Sequence, residues 1–311
     1  DVCSSDLAKP VAWAEGMRRF SPSAINEYMR CQLLFFYNRV AKIKAPQKQA
    51  VIIEPNVLGS VFHKTAELFY LDFVEHGNPV ITPARLAPFL EPAADASLVF
   101  YVRRAMAEEQ VGGNVLVEQI VKSFFKQLLR NDSKLETFKI KGLETPRALT
   151  FNVLVNGAVR QVELCGIIDR MDIVLDPTIN DGAETLRIVD YKTNGSMEQA
   201  LSMDALFTPG EKHPHYVLQT FLYALMVAPD VNSMPLMPTL FFVNKYGDKN
   251  FLPYIKYANE SLTDFAPLAQ DFKFRLEKLL SEMLDEATPF KPTSVLQRCE
   301  NCNYRLLCYG K

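Results

Sequence analysis

The stretch that decides the fold is LRIVDYKTNG, residues 186–195. Apolar residues lead into Asp190, and Lys192 follows two positions later, just before a turn signal. Side chains alternate across a β-strand, so Asp190 and Lys192 share a face with Ile188. The pattern predicts a strand that ends with a carboxylate and an amine on the same side.

A second strand is predicted upstream, in ELCGIIDRMDIVL, residues 163–175. Asp169 shares its face with apolar side chains, and an ionised carboxylate there is costly unless it is paired or binds a metal. If the two strands are neighbours, Asp169, Asp190 and Lys192 meet at one place. Two carboxylates can hold Mg²⁺, and the lysine can position or deprotonate a water molecule or offset developing negative charge. The structural alternative is a buried Asp–Lys ion pair, since D-x-K is a short and common motif.

Further polar residues recur in a defined order along the chain. His63 follows Gly59 by four positions on a predicted helix, and Gln219 and Tyr223 lie one turn apart on a predicted buried helix. A lone histidine or glutamine is usually a satisfied core group. The order G-x-x-x-H, G-x-x-D-R-x-D, D-x-K and Q-x-x-x-Y is therefore the informative observation.

This order of motifs resembles the RecB-like branch of the PD-(D/E)XK nuclease superfamily. The resemblance implies that Mg²⁺ or Mn²⁺ is bound by four groups: His63, Asp169, Asp190 and the backbone carbonyl of Tyr191. It also implies that Lys192 is the catalytic lysine and that Gln219 and Tyr223 line the DNA side of the site. Asp190 stands where glutamate is commoner, a replacement that the superfamily tolerates.

Two more carboxylates lie close to these motifs in the sequence. Asp172 completes G-x-x-D-R-x-D but falls on the opposite strand face from Asp169. We interpret it as structural and expect it to pair with Arg170 or Arg187. Glu67 lies one turn after the histidine of G-x-x-x-H, and we interpret it as a solvated helix charge rather than a metal ligand.

Three cysteines near the C-terminus form a C-x₂-C-x₅-C group, namely Cys299, Cys302 and Cys308. A closed metal site needs a fourth ligand, and Cys31 is the candidate. Four thiolates suit tetrahedral zinc or an iron–sulfur cluster, and the spacing does not separate the two. Cys165 is interpreted as a small core residue.

The resemblance favours a [4Fe–4S] cluster over zinc. One early cysteine and a terminal group of three bracket the nuclease motifs in AddB-type subunits of helicase–nucleases and in CRISPR-associated RecB-like exonucleases. In both, the cluster joins the two ends of the nuclease domain. Loss of one cysteine ligand is therefore expected to loosen the domain as well as to bleach the colour of the cluster.

The composition is that of an ordinary globular chain, with 311 residues, 48% of them hydrophobic, and a net charge of −2. No global basic field is present, so nucleic-acid binding would need a local patch. No apolar run reaches the roughly 18 residues that a membrane span needs, and six cysteines are too few for a disulfide-stapled secreted chain of this length. A cytoplasmic location with reduced thiols and no membrane partner is expected.

The expected fold class is α/β, with a restriction-endonuclease-like core in which helices flank a central mixed β-sheet. One nuclease domain is expected over residues 1–311, with its two ends joined by the metal cluster. Its parts are residues 20–77 (N-terminal helices with Cys31 and His63), 78–146 (helical insertion), 147–260 (catalytic sheet and the Gln219/Tyr223 helix) and 261–311 (long helix and C-terminal cysteines). Ser21 and Pro22 are expected to begin the first helix, and Asn156-Gly157 to form a hairpin turn.

The function implied by the resemblance is a Mg²⁺-dependent DNA exonuclease. The missing initiator methionine and the insertion favour the C-terminal nuclease domain of an AddB-type helicase–nuclease in double-strand-break repair. Its partners would be DNA, a helicase region of the same chain and a second subunit. The alternatives are a stand-alone CRISPR-associated exonuclease, an inactive DNA-binding module with a structural cluster, and a zinc-stabilised interaction domain.

Overall fold

A central β-sheet with helices on both faces makes up the described part of the computed structural model, residues 18–44, 55–244 and 254–309. The strands are β1 (Arg18–Phe20), β2 (Val80–Ile81), β3 (Thr137–Val155), β4 (Ala158–Leu175), β5 (Thr185–Lys192), β6 (Gln199–Ala200), β7 (Leu236–Phe242), β8 (Lys256–Tyr257) and β9 (Glu260–Ser261). The helices are α1 (Pro22–Arg30), α2 (Gln32–Phe35), α3 (Pro55–Glu75), α4 (Pro83–Leu90), α5 (Asp95–Glu108), α6 (Val115–Asp132), α7 (Met203–Phe207), α8 (His215–Val227), α9 (Ala266–Leu284), α10 (Gln297–Glu300) and α11 (Arg305–Tyr309).

The two longest strands, β3 and β4, form an antiparallel hairpin around the predicted turn. Asn156 and Gly157 have φ values of 49° and 81°, as a tight two-residue turn requires, so the predicted hairpin is confirmed. Strand β3 begins at Thr137, however, which assigns residues 137–146 to the sheet. The predicted insertion, residues 78–146, therefore ends too late, because alternation in KIKGLETPR is weak and its pairing partner lies far along the chain.

The main sheet has the order β2-β3-β4-β5-β7, with β1 also paired to β4. The β3–β4 and β4–β5 pairs are antiparallel, whereas β5–β7 and β1–β4 are parallel, so the sheet is mixed. A mixed sheet flanked by helices fits a restriction-endonuclease-like fold, and the predicted class is confirmed at that level. Strands β6, β8 and β9 form a separate small sheet.

Each face of the main sheet packs against its own layer of helices. Ile188 and Leu240 belong to the core that includes residues of α1, α8 and α9, whereas their neighbours Val189 and Phe241 belong to the core with α3, α5 and α6. A sheet covered on both faces has strands that are apolar at consecutive positions. This explains why LRIV and LFFV lack polar alternation. Within residues 18–44, 55–244 and 254–309, no helix is both long and apolar enough to cross a membrane.

Helix α1 begins as predicted and ends at Arg30. The Ser21 hydroxyl accepts a hydrogen bond from the Ala24 N–H, and Pro22 is the first helical residue. Cys31 adopts an extended backbone (φ −168°), and the chain continues as α2 and a π-helical turn. The Leu33 N–H donates to the Lys291 carbonyl, so the C-terminal segment satisfies a donor at the break.

One edge of β4 has two partners, and the interval between them is the important feature of the fold. Strand β1 pairs with Val162–Leu164, and β5 pairs with Arg170–Val174. Residues 165–169 of β4 lie between these two pairings, where β4 and β5 separate. The carboxyl end of β5, with the D-x-K motif, lies beside this opening.

Candidate active site

An open cleft of about 400 Å³ lies where β4 and β5 separate. Its lining includes every residue that the resemblance assigned to the metal, to catalysis or to the DNA side: His63, Asp169, Asp190, Tyr191, Lys192, Gln219 and Tyr223. Helix α3 supplies the histidine, β4 and β5 supply the two aspartates and the lysine, and α8 supplies the glutamine and Tyr223. Residues that are far apart in the sequence therefore meet in one place.

Asp169 is oriented by the main chain of β5. The antiparallel ladder between β4 and β5 ends at the Arg170–Val189 pair, and the Tyr191 N–H donates to the Asp169 carboxylate at 2.7 Å. The other carboxylate oxygen lies 3.4 Å from His63 Nδ1. Burial raises the pKa of Asp169, but attraction to the His63 imidazole outweighs it and lowers the pKa below its usual value.

Glu144 is a member of this group that the sequence analysis missed. Its carboxylate lies 3.8 Å from His63 Nδ1, and ligand atoms of His63, Glu144 and Asp169 all lie within 4.8 Å of one another. Leu143 pairs with Arg170 and Thr145 with Ile168, so Glu144 stands across the hairpin from Asp169. Like charges directly opposite on a sheet repel. The arrangement therefore suits a bound cation.

The position of Glu144 was available from the predicted turn. A two-residue turn at Asn156-Gly157 pairs Val155 with Ala158. Eleven residues back from Val155 is Glu144, and eleven residues on from Ala158 is Asp169. The predicted strand began only after residue 146, so the hairpin register was not extended to Glu144.

The His63 imidazole lies in a strongly negative environment. Burial alone lowers the pKa of His63, but attraction to Asp169 and Glu144 outweighs it and raises the pKa to about 10. The ring also packs edge-on against Tyr191, with 5.8 Å between ring centroids. A metal ion needs the neutral imidazole, so it would compete with a proton at this position.

Asp190 and Lys192 form the ion pair that was considered as the structural alternative. The Lys192 Nζ lies 2.7 Å from one Asp190 oxygen, and the Gln219 amide donates to the other at 3.2 Å. The same amide lies 3.2 Å from the Tyr223 hydroxyl. Burial, with repulsion from Asp169, raises the pKa of Asp190 to about 6 despite the lysine. The ion pair lines the cleft, so pairing alone does not make these residues structural.

The family model of the PD-(D/E)XK nuclease superfamily matches residues 19–309. The chain belongs to the PD-(D/E)XK nuclease superfamily. Membership implies a metal-dependent nuclease, and the group of His63, Glu144 and Asp169 supplies residues that could bind the divalent metal.

Beyond the family model, comparison with individual proteins gives no match or a weak one. A search of curated proteins returned no match. Among solved structures, the crystal structure of SSO0001 matches with 13% identity over 82% of this chain and 97% of that chain, at a TM-score of 0.29. A likeness of that size carries no argument about this PD-(D/E)XK chain.

Asp172 is buried in a charge network on the sheet face opposite the PD-(D/E)XK cleft. Arg187 donates two hydrogen bonds of 2.8 Å to its carboxylate, and Arg170 Nε lies 2.9 Å from it. Arg170 also donates to Asp132 at 2.7 and 3.0 Å. The predicted pairing of Asp172 is confirmed, and both candidate arginines take part.

Glu67 is paired within its own helix. Its carboxylate lies 2.7 Å from Lys64 Nζ, one turn earlier on α3. It lines a neighbouring depression together with His63 and Glu144, but it is not one of the three residues whose ligand atoms converge. The interpretation of Glu67 as a helix charge is thus refined to a partly exposed ion pair.

The four candidate cluster cysteines lie on two segments of the chain, Cys31 just after α1 and the other three within residues 299–308. Cys31, Cys299, Cys302 and Cys308 are all half-buried, and burial, with repulsion from Cys308, raises the pKa of the Cys31 thiol. Within the described residues, the His63 group alone has three ligand atoms within 4.8 Å, so the thiols are not arranged as a compact single-metal site. Cys165 is half-buried rather than a fully buried core residue.

Proposed function

We propose that the protein is a Mg²⁺-dependent deoxyribonuclease that hydrolyses phosphodiester bonds in the cleft between β4 and β5. The observation that carries the proposal is the convergence of carboxylates, an imidazole and an amine in an open cleft of a PD-(D/E)XK chain. Carboxylate oxygens are the preferred ligands of Mg²⁺ and Mn²⁺, and an imidazole is a suitable addition for Mn²⁺.

The residues that would hold the ion are His63, Glu144 and Asp169, with Asp190 and the Tyr191 carbonyl as the remaining ligands implied by the family. When bound, the ion supplies positive charge to the scissile phosphate and acidifies water in the cleft. The imidazole must first release its proton. The hydrogen bond from the Tyr191 N–H fixes the Asp169 carboxylate and leaves its second oxygen facing His63.

Lys192 acts in this proposal as a cation rather than as a base. Burial lowers the pKa of Lys192, but attraction to Asp190 outweighs it and raises the pKa, so the amine stays protonated at neutral pH. A protonated amine offsets negative charge on the phosphate in the transition state. The Gln219 amide, held between Asp190 and the Tyr223 hydroxyl, orients the carboxylate on the side from which nucleic acid enters.

The proposal extends to a [4Fe–4S] cluster bound by Cys31, Cys299, Cys302 and Cys308, with zinc as the alternative. The support is that Cys31 and Cys308 are near enough for their thiols to interact electrostatically and that the segments around them are tied to each other. The Tyr304 hydroxyl donates to the Ile43 carbonyl at 2.6 Å, for example. Iron and sulfide in anaerobically purified protein would support the cluster. Stoichiometric zinc in colourless protein would support the alternative.

The finer assignment rests on the resemblance alone. It describes an exonuclease, the C-terminal nuclease domain of an AddB-type subunit, that acts in the cytoplasm on DNA with a helicase region of its own chain and a partner subunit. A full-length gene with an upstream helicase region would support it. A gene without one would favour the stand-alone CRISPR-associated exonuclease.

The test is degradation of end-labelled linear DNA in Mg²⁺, Mn²⁺ or EDTA. We expect cleavage that needs the divalent ion and that is lost in Asp169→Asn and Lys192→Ala. Asp181→Asn is the matched control, because Asp181 is exposed and asparagine tolerates its left-handed backbone (φ 56°). Intact DNA with a folded, metal-loaded protein would favour the inactive DNA-binding module. Cleavage that survives in both site variants would overturn the assignment of the site.

A further inference from the structure

A second groove, of about 470 Å³, leads away from the cleft and across the C-terminal end of α1. Gln219 lines both the cleft and this groove, so the two adjoin at this side chain. At its far end the groove is lined by Arg30 of α1 and by Arg298 of α10. It therefore extends from the Gln219 side of the cleft to the segments that carry Cys31 and Cys299.

The basic side chains of this groove differ in whether a carboxylate lies beside them. Arg39 lies 2.7 Å from Glu27, and His215 lies 2.7 Å from Glu198. Neither Arg30 nor Arg298 forms an ion pair with any carboxylate among the residues that the structure describes. Two guanidinium groups that line the groove thus form no ion pair among the described residues.

The main chain holds the side chain of Arg298 in place. The Arg298 guanidinium donates to the Arg30 carbonyl at 3.2 Å and to the Gly210 carbonyl at 2.6 Å. Holding two like charges together is unfavourable unless an anion binds between them. Guanidinium groups present paired donors that match phosphate oxygens.

We propose that Arg30 and Arg298 form a phosphate-binding subsite for a nucleic-acid strand, remote from the phosphate that is cleaved. The inference rests on the proposed function, since it supposes that the strand occupies the cleft. Because Gln219 borders both the cleft and the groove, one strand bound in the cleft can extend along the groove. The ligand group is a phosphate oxyanion of the strand, either an internal phosphodiester or a terminal phosphate.

The test is equilibrium binding of a fluorescein-labelled single-stranded DNA oligonucleotide in EDTA, followed by anisotropy over a range of salt concentrations. We expect Arg30→Gln to weaken binding about tenfold at moderate salt. The slope of log K against log[salt] should fall by about 0.7, the value for one phosphate contact on a single strand. Arg30 is the cleaner variant, because its side chain is exposed. Arg298→Gln should have an equal or larger effect.

Arg130→Gln is the matched control, since it removes the same charge from an exposed position on α6, in the other helical layer. Its affinity and salt slope should match those of the wild type. The oligonucleotide is used with a 5′-phosphate and with a 5′-hydroxyl. An equal loss on both assigns the subsite to an internal phosphodiester, and a loss confined to the first assigns it to a terminal phosphate. Either result supports the subsite.

Binding and salt slopes that are unchanged in both arginine variants would overturn the inference. Because each arginine directly precedes a cysteine, Cys31 or Cys299, a changed metal content with unchanged DNA binding would show that the guanidiniums serve the thiolates instead. Cleavage in Mg²⁺, assayed in parallel, separates the two proposals. A wild type that binds through these arginines without cleaving would contradict the nuclease and keep the subsite.

Discussion

Two groups of buried charge lie on opposite faces of the same pair of strands. The closed network consists of Asp132, Arg170, Asp172 and Arg187, each at most 2% exposed. The cleft group consists of His63, Glu144, Asp169, Asp190 and Lys192, and it lines an opening in the sheet. Asp169 and Arg170 are consecutive residues of β4, and strand alternation sends one to each group.

The difference between the groups lies in charge balance and in access. The closed network matches two carboxylates with two guanidinium groups, and the aromatic rings of Tyr70 and Phe138 cover Arg170 at 4.8 and 5.1 Å. The cleft group has three carboxylates facing one lysine and one histidine, and it is open. A sealed, balanced network stabilises the fold, whereas an open group with excess negative charge suits a cation. Adjacent charged residues can therefore have separate tasks.

The largest expected effect comes from breaking the closed network with Asp132→Asn. Asp132 accepts hydrogen bonds from Arg170 and from the Tyr70 hydroxyl, and loss of its charge leaves two buried guanidinium groups facing the single carboxylate of Asp172. We expect the free energy of unfolding to fall by about 3–5 kcal/mol. Urea unfolding at neutral pH measures it, with the exposed Asp181→Asn as a control that changes little. A loss as small as that of a surface pair would contradict the structural role of the network.

The contribution of Asp132 to the free energy of unfolding should also depend on pH. Burial raises the pKa of Asp132, but attraction to Arg170 and Arg187 outweighs it and lowers the pKa below its usual value. A depressed carboxyl pKa contributes stability above the unfolded pKa, about 3.9, and this is lost as the pH falls through the folded value. The difference in unfolding free energy between wild type and Asp132→Asn should stay constant from about pH 8 to pH 5 and shrink below about pH 4. If this difference already declined at neutral pH, a lowered pKa of Asp132 would be contradicted.

Asp169 directly precedes Arg170 on β4 but belongs to the cleft group. Asp169→Asn should lower nuclease activity by about 10²–10³-fold, because a carboxylate that holds the ion is lost. The unfolding free energy in EDTA should change far less than in Asp132→Asn, since the substitution relieves repulsion with Glu144. Activity and urea unfolding of the same preparation test both parts. If Asp169→Asn and Asp132→Asn lowered the unfolding free energy equally, the distinction between a stabilising network and a cation-binding group would be contradicted.

Binding of a divalent cation to the cleft group should stabilise the folded protein. Mg²⁺ or Mn²⁺ at about one hundred times its dissociation constant should stabilise the wild type by about 2.7 kcal/mol. Asp169→Asn should lose this gain, and Asp181→Asn should keep it. Thermal unfolding with and without EDTA measures the effect. Equal stabilisation of Asp169→Asn would place the ion somewhere other than the cleft group.

Strand alternation and the order of the sequence motifs were enough to identify most residues of the cleft group and some of the closed network. Strand alternation separated Asp169 from Asp172, and motif order found the residues on α3, β5 and α8. Asp132 was not foreseen, because α6 meets β4 only through packing between a helix and a sheet. The end of α1 at Cys31 was not foreseen either, since its cause is a contact with the C-terminal segment. Glu144 is the intermediate case, because hairpin register could have predicted it.

The smallest effect, and the sharpest test of the cleft group, comes from Glu144→Gln. Its carboxylate completes the group of three, but Asp169 and His63 can hold the ion without it. We expect about a tenfold rise in the Mg²⁺ concentration that supports half-maximal cleavage, which corresponds to about 1.4 kcal/mol of binding free energy. The rate at saturating Mg²⁺ should be nearly that of the wild type. Glu67→Gln is the matched control, since it lines the same depression but is paired with Lys64. If the Glu144 variant lost activity that no Mg²⁺ concentration restored, Glu144 would act on the substrate or the fold rather than on the ion.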